Sequence, residues 1–504
     1  MLGFSLAFTL LASLSPQSQP AATQADIPAF TIAIDHPVYA GQPVWVRALD
    51  GPRQSIRYPF RAAAGDIGCN RLEVQHDGVL LKQLPIRGGV NRSGILCGSA
   101  TPQGSPMYRL PLHVLYPFNS PGTYSVRWTV EAPSPQPARQ KPIAQSDWLT
   151  FTVLETTPEQ HEAWIKNLLA NAPQDDGLLA GDFLPSLIAA APDPRALETL
   201  VKYLYADNAM VSGMAASALE EFPQPQVLRA VADSLEKHGP SDELAYFATY
   251  HKGWTEDDED KIVHAAIPYL QPQSTTLSSG KQLPPYAPTQ TSAAIKLLRF
   301  IFYIPNHAWP ANPELASYAD AKALQAAPNI MANANMNAVQ ELAEYLGLLQ
   351  SSQRAHELLI QIAERSDNAG TQARICLTWH PQPTDLAHLA AVLVAPGDAD
   401  SRGTDRSSLP YALVRGYGDD ALPYLENAVA NSSYVWVRVQ SAEQLALRNR
   451  SVGFQFLLDA IEANRPYKAE VIRWIRQNFR MAFAADANEQ QIAAFLRGRI
   501  RPGS

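Results

Sequence analysis

The hydropathy period of this chain changes once, at Thr156. Before it, apolar residues alternate with polar ones; after it, they recur at every third and fourth position. Alternation turns one face of an extended strand toward a core, whereas the longer period turns one stripe of a helix there. A chain of 504 residues that makes this switch once separates a β region from a helical region. That length corresponds to about two to four domains. Hydrophobic residues make up 46% and charged residues 17%, so a sizeable core is expected.

The alternating runs are short. They include "FTIAIDH" from Phe30, "PVWVRAL" from Pro43, "YRLPLHVLYPF" from Tyr108, "GTYSVRWTV" from Gly122 and "DWLTFTVLE" from Asp147. "RLEVQHDGVLLKQL" from Arg71 holds two such runs around Asp77-Gly78, a strong hairpin signal. About seven short strands in this span predict an antiparallel β-sandwich. The proline-rich stretch from Glu131 to Ser146 predicts a protruding loop before the last strand. "SPGTYSVRWTV" from Ser120 resembles the closing strands of immunoglobulin-like domains. That resemblance implies a tyrosine-corner hydrogen bond from Tyr124.

At the switch, Thr157, Pro158 and Gln160 form a helix-start signal of N-cap, first helical residue and capping-box partner. Beyond it the chain resembles itself. Val211 to Leu235 aligns without a gap on Ala369 to Leu393, on Val437 to Ile461 and on Ala338 to Ile362. Leu219, Leu228 and Leu235 fall on Leu377, Leu386 and Leu393, on Leu445, Phe454 and Ile461, and on Leu346, Ala355 and Ile362. Each copy reads as helix, turn and second helix, a unit that buries its apolar face only by stacking on a neighbour.

This pattern resembles HEAT and armadillo-type repeats. Ala215-Ala216 with Leu219, and Ser441-Ala442 with Leu445, look like the second helix of a HEAT unit; "DDALPYLENAV" from Asp419 looks like its first. The resemblance implies an all-α, right-handed superhelical solenoid over residues 156–504, with a loop-rich interruption near 271–313. The expected order is a signal peptide at 1–25, an immunoglobulin-like β-sandwich at 26–155, then the HEAT-like solenoid. A sandwich followed by helical repeats also resembles the rear half of certain zinc aminopeptidases, whose catalytic domain has no counterpart here.

The apolar run from Leu2 to Leu14 is shorter than the roughly 20 residues a transmembrane helix needs. With small residues near Ala25 after it, the run fits the core of a secretory signal peptide, although no Lys or Arg precedes it. No later stretch is long and apolar enough to span a membrane, so the expected location is periplasmic or extracellular. Of three cysteines, Cys69 and Cys97 share the β region. In an exported chain they are expected to form a structural disulfide, stabilising the fold by roughly 3 kcal/mol. Cys376 would be a buried thiol.

Candidate chemistry fails on spacing. His161-Glu162 and His356-Glu357 open like zinc-protease motifs, but Ile165 and Ile360 replace the second histidine. "GYGDDA" from Gly416 matches a dinucleotide fingerprint without a strand before it. Ser234 and Ser278 lie in S-x-x-K matches that lack partner motifs, and "GDADSRGTDRSS" from Gly397 misses the calcium-loop positions. The net charge of −8 gives no basic footprint for nucleic acid. No catalytic residue, metal ligand or cofactor is assigned. The expected function is a non-catalytic, exported interaction or scaffold protein that binds another protein or a surface polymer. The alternative is an envelope enzyme acting on polysaccharide or cell-wall material at the domain junction.

Overall fold

A computed structural model describes residues 29–35, 37–49, 70–84, 109–131, 142–250, 254–272, 289–303, 312–349, 352–396, 405–479 and 487–500. It has an N-terminal β region and a helical remainder, as the change of period requires. Contacts divide the chain into two compact units, and the division falls within helix Pro158–Ala170, after Asn167.

The β region contains β1 (Ala29–Phe30), β2 (Ile32–Ile34), β3 (Val38–Tyr39), β4 (Trp45–Ala48), β5 (Asn70–His76), β6 (Val79–Leu80), β7 (Arg109–Pro111), β8 (Gly122–Glu131), β9 (Pro142–Ser146) and β10 (Leu149–Leu154). Its larger sheet is built around β8. β5 pairs along one edge of β8, with Leu72 opposite Trp128 and Val74 opposite Val126. β10 and then β9 share the other edge. β1 and β3 extend that side in parallel to β9 and β10, while β2 leaves to pair with β4 in a three-stranded sheet, β2–β4–β7. The N-terminal segment thus visits both sheets. Buried residues of both meet in one core that includes Ile34, Val46, Leu110, Trp128 and Phe151.

Local chemistry explains the connections. Asp77 and Gly78 both have positive φ, at 49° and 80°, the conformation of a tight hairpin between β5 and β6. Tyr124 donates from Oη to the Ser120 carbonyl at 3.1 Å, pinning the turn before β8. Two expectations change. The run from Tyr108 is a strand only to Pro111, then a 3-10 turn over Leu112–Val114, because proline contributes no N–H to a ladder. The stretch read as a loop up to Ser146 ends in β9, whose first residue is Pro142, the strand position where proline is tolerated.

The helical unit follows the repeat. Thr157 and Gln160 exchange capping-box hydrogen bonds at 3.0 and 3.2 Å. The aligned copies become pairs: Ala209–Leu219 with Gln224–His238, Met336–Leu348 with Gln353–Ala363, Asn368–Leu377 with Leu386–Ala391, and Val435–Leu447 with Ser451–Glu462. All twelve aligned anchors, Leu219 through Ile461, are buried. Helices pack on their sequence neighbour and on the helix one further along, repeatedly from Pro194–Tyr203 to Glu489–Arg499. The span expected to be loop-rich contains a helix, Gln290–Tyr303, in which Ile295, Leu298 and Ile301 are buried. Flanking prolines dominate that stretch of sequence, but the helix itself is proline-free.

Candidate functional site

Within the helical unit, one cavity of about 130 Å³ opens among four consecutive segments. Leu346 and Gly347 come from helix Met336–Leu348, His356 and Leu359 from Gln353–Ala363, and Cys376 and Leu377 from Asn368–Leu377. His380 and Gln382 enter from the following turn, and Ser352 caps the second helix. Gly347 is required by close approach: a Cβ there would lie 2.7 Å from the Cys376 Cβ and 3.1 Å from the Trp379 ring. The floor is apolar, from the leucines, and the polar groups are two imidazoles, two amides and a hydroxyl. A cavity of that size holds a few waters or a group about as large as a benzene ring.

His356 has a buried carboxylate beside it. Its Nε2 lies 3.2 Å from Asp385 Oδ2, and the side chains are only 17% and 10% exposed. The contact is an ion pair when the imidazole is protonated. Asp385 ends a short 3-10 turn, Pro383–Asp385, where Thr384 Oγ1 donates to Asp385 Oδ1 at 3.3 Å. Tyr417 belongs to the same cluster: burial, followed by the negative charge of Asp385, pushes its hydroxyl up to about 12. Asp385 Oδ2 makes no hydrogen bond among the described residues, so the contact with His356 is one of proximity.

Ser352, His356 and Asp385 are the residue types of an acyl-transfer triad, but their geometry is different. Ser352 Oγ accepts the Ala355 N–H at 3.2 Å as an N-cap, and among the described residues no hydrogen bond joins it to His356. Cys376 is 1% exposed, and burial pushes its thiol up to about 12, so it stays protonated and unreactive. The arrangement is suited to holding a small polar group on an apolar floor.

A second polar cluster is internally satisfied. Asp320 accepts from Tyr303 Oη at 2.6 Å and from Tyr345 Oη at 2.8 Å. Desolvation pushes the Asp320 carboxyl above its ordinary range, and the two hydroxyls oppose that. It pins helix Pro313–Asn333 to its neighbours.

The residues singled out in the sequence, and other histidines and acidic groups of the chain, fare differently. Cys69 and Cys97 lie outside the described residues, as do Ser278, His307 and residues 397–404 of the calcium-like stretch. His113 is buried, with Nδ1 within 3.2 Å of the Val44 backbone and its ring edge-on to Trp45. His76 stacks on Tyr124 at 4.2 Å. His161 packs beside Trp164, and Ile165 is buried. "GYGDDA" is the end of helix Leu409–Tyr417 and the turn after it, where Gly418 has φ 60°. Ser234 lies mid-helix, 3.4 Å from Tyr205 Oη. The acidic run at Thr255 is a capping box with Asp258 at the head of helix Glu256–Ala266.

Sequence reasoning passed over Asp385 and dismissed His356 for lack of a metal partner. No local signal marks the pair, because they come from different helix pairs and meet only through stacking. Among the described residues no group of three or more His, Cys, Asp or Glu side chains is placed to hold a metal ion. No described helix is long and apolar enough to cross a membrane. No protein-family model matches this chain, and no curated protein is significantly similar to it.

Proposed function

We propose that this chain is an exported interaction or scaffold protein whose helical repeats bind another protein or a surface polymer. On this reading the β region is an immunoglobulin-like sandwich stapled by Cys69–Cys97, and the helical region is a HEAT-type solenoid. The observation that carries it is the recurring neighbour-and-next-neighbour packing of helix pairs, with all twelve anchors buried. Stacked pairs spend one face of each helix on the core and leave an extended series of other faces for a partner. Support for the sandwich is the N-terminal segment that pairs in both sheets, together with the Tyr124–Ser120 hydrogen bond. Trp379 and Tyr411 are large exposed side chains of the repeat region. Exposed aromatics of this kind are frequent anchors in interfaces.

The test is cross-linking of the full-length chain in its native envelope, with Trp379→Ala and Tyr411→Ala variants in parallel. The expected result is one dominant cross-linked partner, lost or at least weakened about tenfold when Trp379 or Tyr411 is removed. Equal cross-linking by wild type and both variants would remove the aromatic surface from the proposal. N-terminal sequencing near Asp26 and a non-reducing mass measurement test the export and disulfide components separately.

A further inference from the structure

Arg374 and Arg406 are each only 7% exposed, and neither has a carboxylate hydrogen-bonded to it among the described residues. Arg374 lies on helix Asn368–Leu377; Arg406 lies on the 3-10 turn Asp405–Ser408, which packs against that helix and against Val435–Leu447. Arg374 uses Nη2 to donate to the Arg365 carbonyl at 3.2 Å. Its Nη1 is buried and without a partner, and so are Nε and Nη1 of Arg406. The Arg406 guanidinium stacks over Tyr434, 4.7 Å from the ring centre, which leaves its N–H edges unused.

The two cations are close enough to feel one another. Burial pushes the Arg374 guanidinium down and the positive charge of Arg406 pushes it further, while the charges of Glu364 and Asp367 partly oppose both. The nearby acids are committed elsewhere: Asp367 holds Arg365 at 2.6 Å and caps Gly370 N–H at 3.1 Å, and Glu364 lies 3.3 Å from His388. Glu443, on the helix behind the turn, shows no influence from either arginine. A buried charge with no carboxylate hydrogen-bonded to it is costly for a fold, and here there are two of one sign. Arg299, the other arginine of comparable burial among the described residues, also has Nε and Nη1 without a hydrogen-bond partner, but it has carboxylates against it. Arg299 pairs with Glu341 at 3.1 Å and with Glu344, whereas the half-buried Arg438 donates from Nε to the Val429 carbonyl at 2.8 Å.

We propose that Arg374 and Arg406 form a buried oxyanion site that takes a phosphate or sulfate group. Three idle guanidinium nitrogens and two positive charges match a doubly charged tetrahedral anion in both donor number and charge. A monocarboxylate matches half the charge. The site is independent of the proposed interaction function: it would act as an internal anion that ties the turn Asp405–Ser408 to the preceding repeat.

The test is thermal denaturation and titration calorimetry of the full-length chain with inorganic phosphate, sulfate or acetate, at ionic strength held constant with chloride. Phosphate and sulfate are expected to raise the melting temperature saturably and to compete for one site, while acetate does neither. Arg406→Gln and Arg374→Lys are expected to raise the half-saturating phosphate concentration about tenfold or more. Arg438→Gln, whose guanidinium bonds the Val429 carbonyl and lies over Phe456, is expected to leave it unchanged. Absence of any saturable response in the native chain overturns the site, and this measurement does not depend on a variant folding. Equal responses in native and Arg406→Gln chains, or acetate binding as tightly as phosphate, overturn it as well.

Discussion

Gly416 sets helix propensity against packing. It lies inside helix Leu409–Tyr417, where replacing glycine by alanine in isolation stabilises by about 0.5–1 kcal/mol. A Cβ at this position would meet the Thr378 carbonyl oxygen at 2.6 Å and the Thr378 Cβ at 2.9 Å. The oxygen is backbone and has little freedom to retreat. Gly416→Ala is therefore expected to destabilise by about 1–3 kcal/mol, the usual range for overpacking. Gly498, in helix Glu489–Arg499, has nothing within 4 Å of the same added atom, so Gly498→Ala is expected to gain about 0.5–1 kcal/mol. Opposite signs in parallel thermal melts confirm that Gly416 marks the close approach of two repeats. A gain at both positions refutes it. The sequence presents Gly416 as part of a dinucleotide fingerprint, whereas its role is close packing against Thr378.

At the level of elements, the recurring anchor is the quantity to test. Leu445 and Leu447 lie two residues apart on helix Val435–Leu447, yet Leu445 is fully buried and Leu447 is 42% exposed. Leu445→Ala is expected to cost about 2–5 kcal/mol through lost burial and a residual cavity. Leu447→Ala is expected to stay within about 0.5 kcal/mol. Urea denaturation of both variants reads the difference, and equal losses would mean that the repeat alignment does not mark the core. Elements set by local rules were legible in the sequence: the Asp77-Gly78 hairpin, the capping box at Thr157, and the helix pairs with their anchors. Elements set by distant partners were not. β9 is five residues long and needs β8 to exist, and helix Gln290–Tyr303 is hidden by its proline-rich flanks. The cavity was illegible for the same reason. His356 and Asp385 belong to different helix pairs, and so do Arg374 and Arg406, so only stacking brings each set together.

For the whole molecule, the dependence of stability on pH is expected to run against the common pattern in which carboxylates strengthen a fold once ionised. Glu259 and Glu443 are almost completely buried, at 0% and 4% exposure. Burial pushes each carboxyl up to about 7, and Glu256 adds to the effect at Glu259. In the unfolded chain both groups ionise at the ordinary value of 4.5. Between 4.5 and about 7 the folded chain therefore holds protons that the unfolded chain has released. The resulting stability is fully present below 4.5 and is lost as pH rises through about 7, at up to about 1.4 kcal/mol per pH unit for each group. Asp193 and Asp367, whose carboxyls are held below their ordinary range by burial-resistant pairing with Arg195 and Arg365, act only at lower pH. The melting temperature is thus expected to rise as pH falls from 8 to 5.5. Relief of the net charge of −8 on acidification predicts the same direction, so the slope alone does not assign the cause. The double variant Glu259→Gln and Glu443→Gln separates the two. If the buried carboxyls are responsible, it is more stable than the native chain at pH 8 and its profile between pH 5.5 and 8 is nearly flat. If general repulsion is responsible, the slope persists almost unchanged, because two charges of this large set barely alter the overall field.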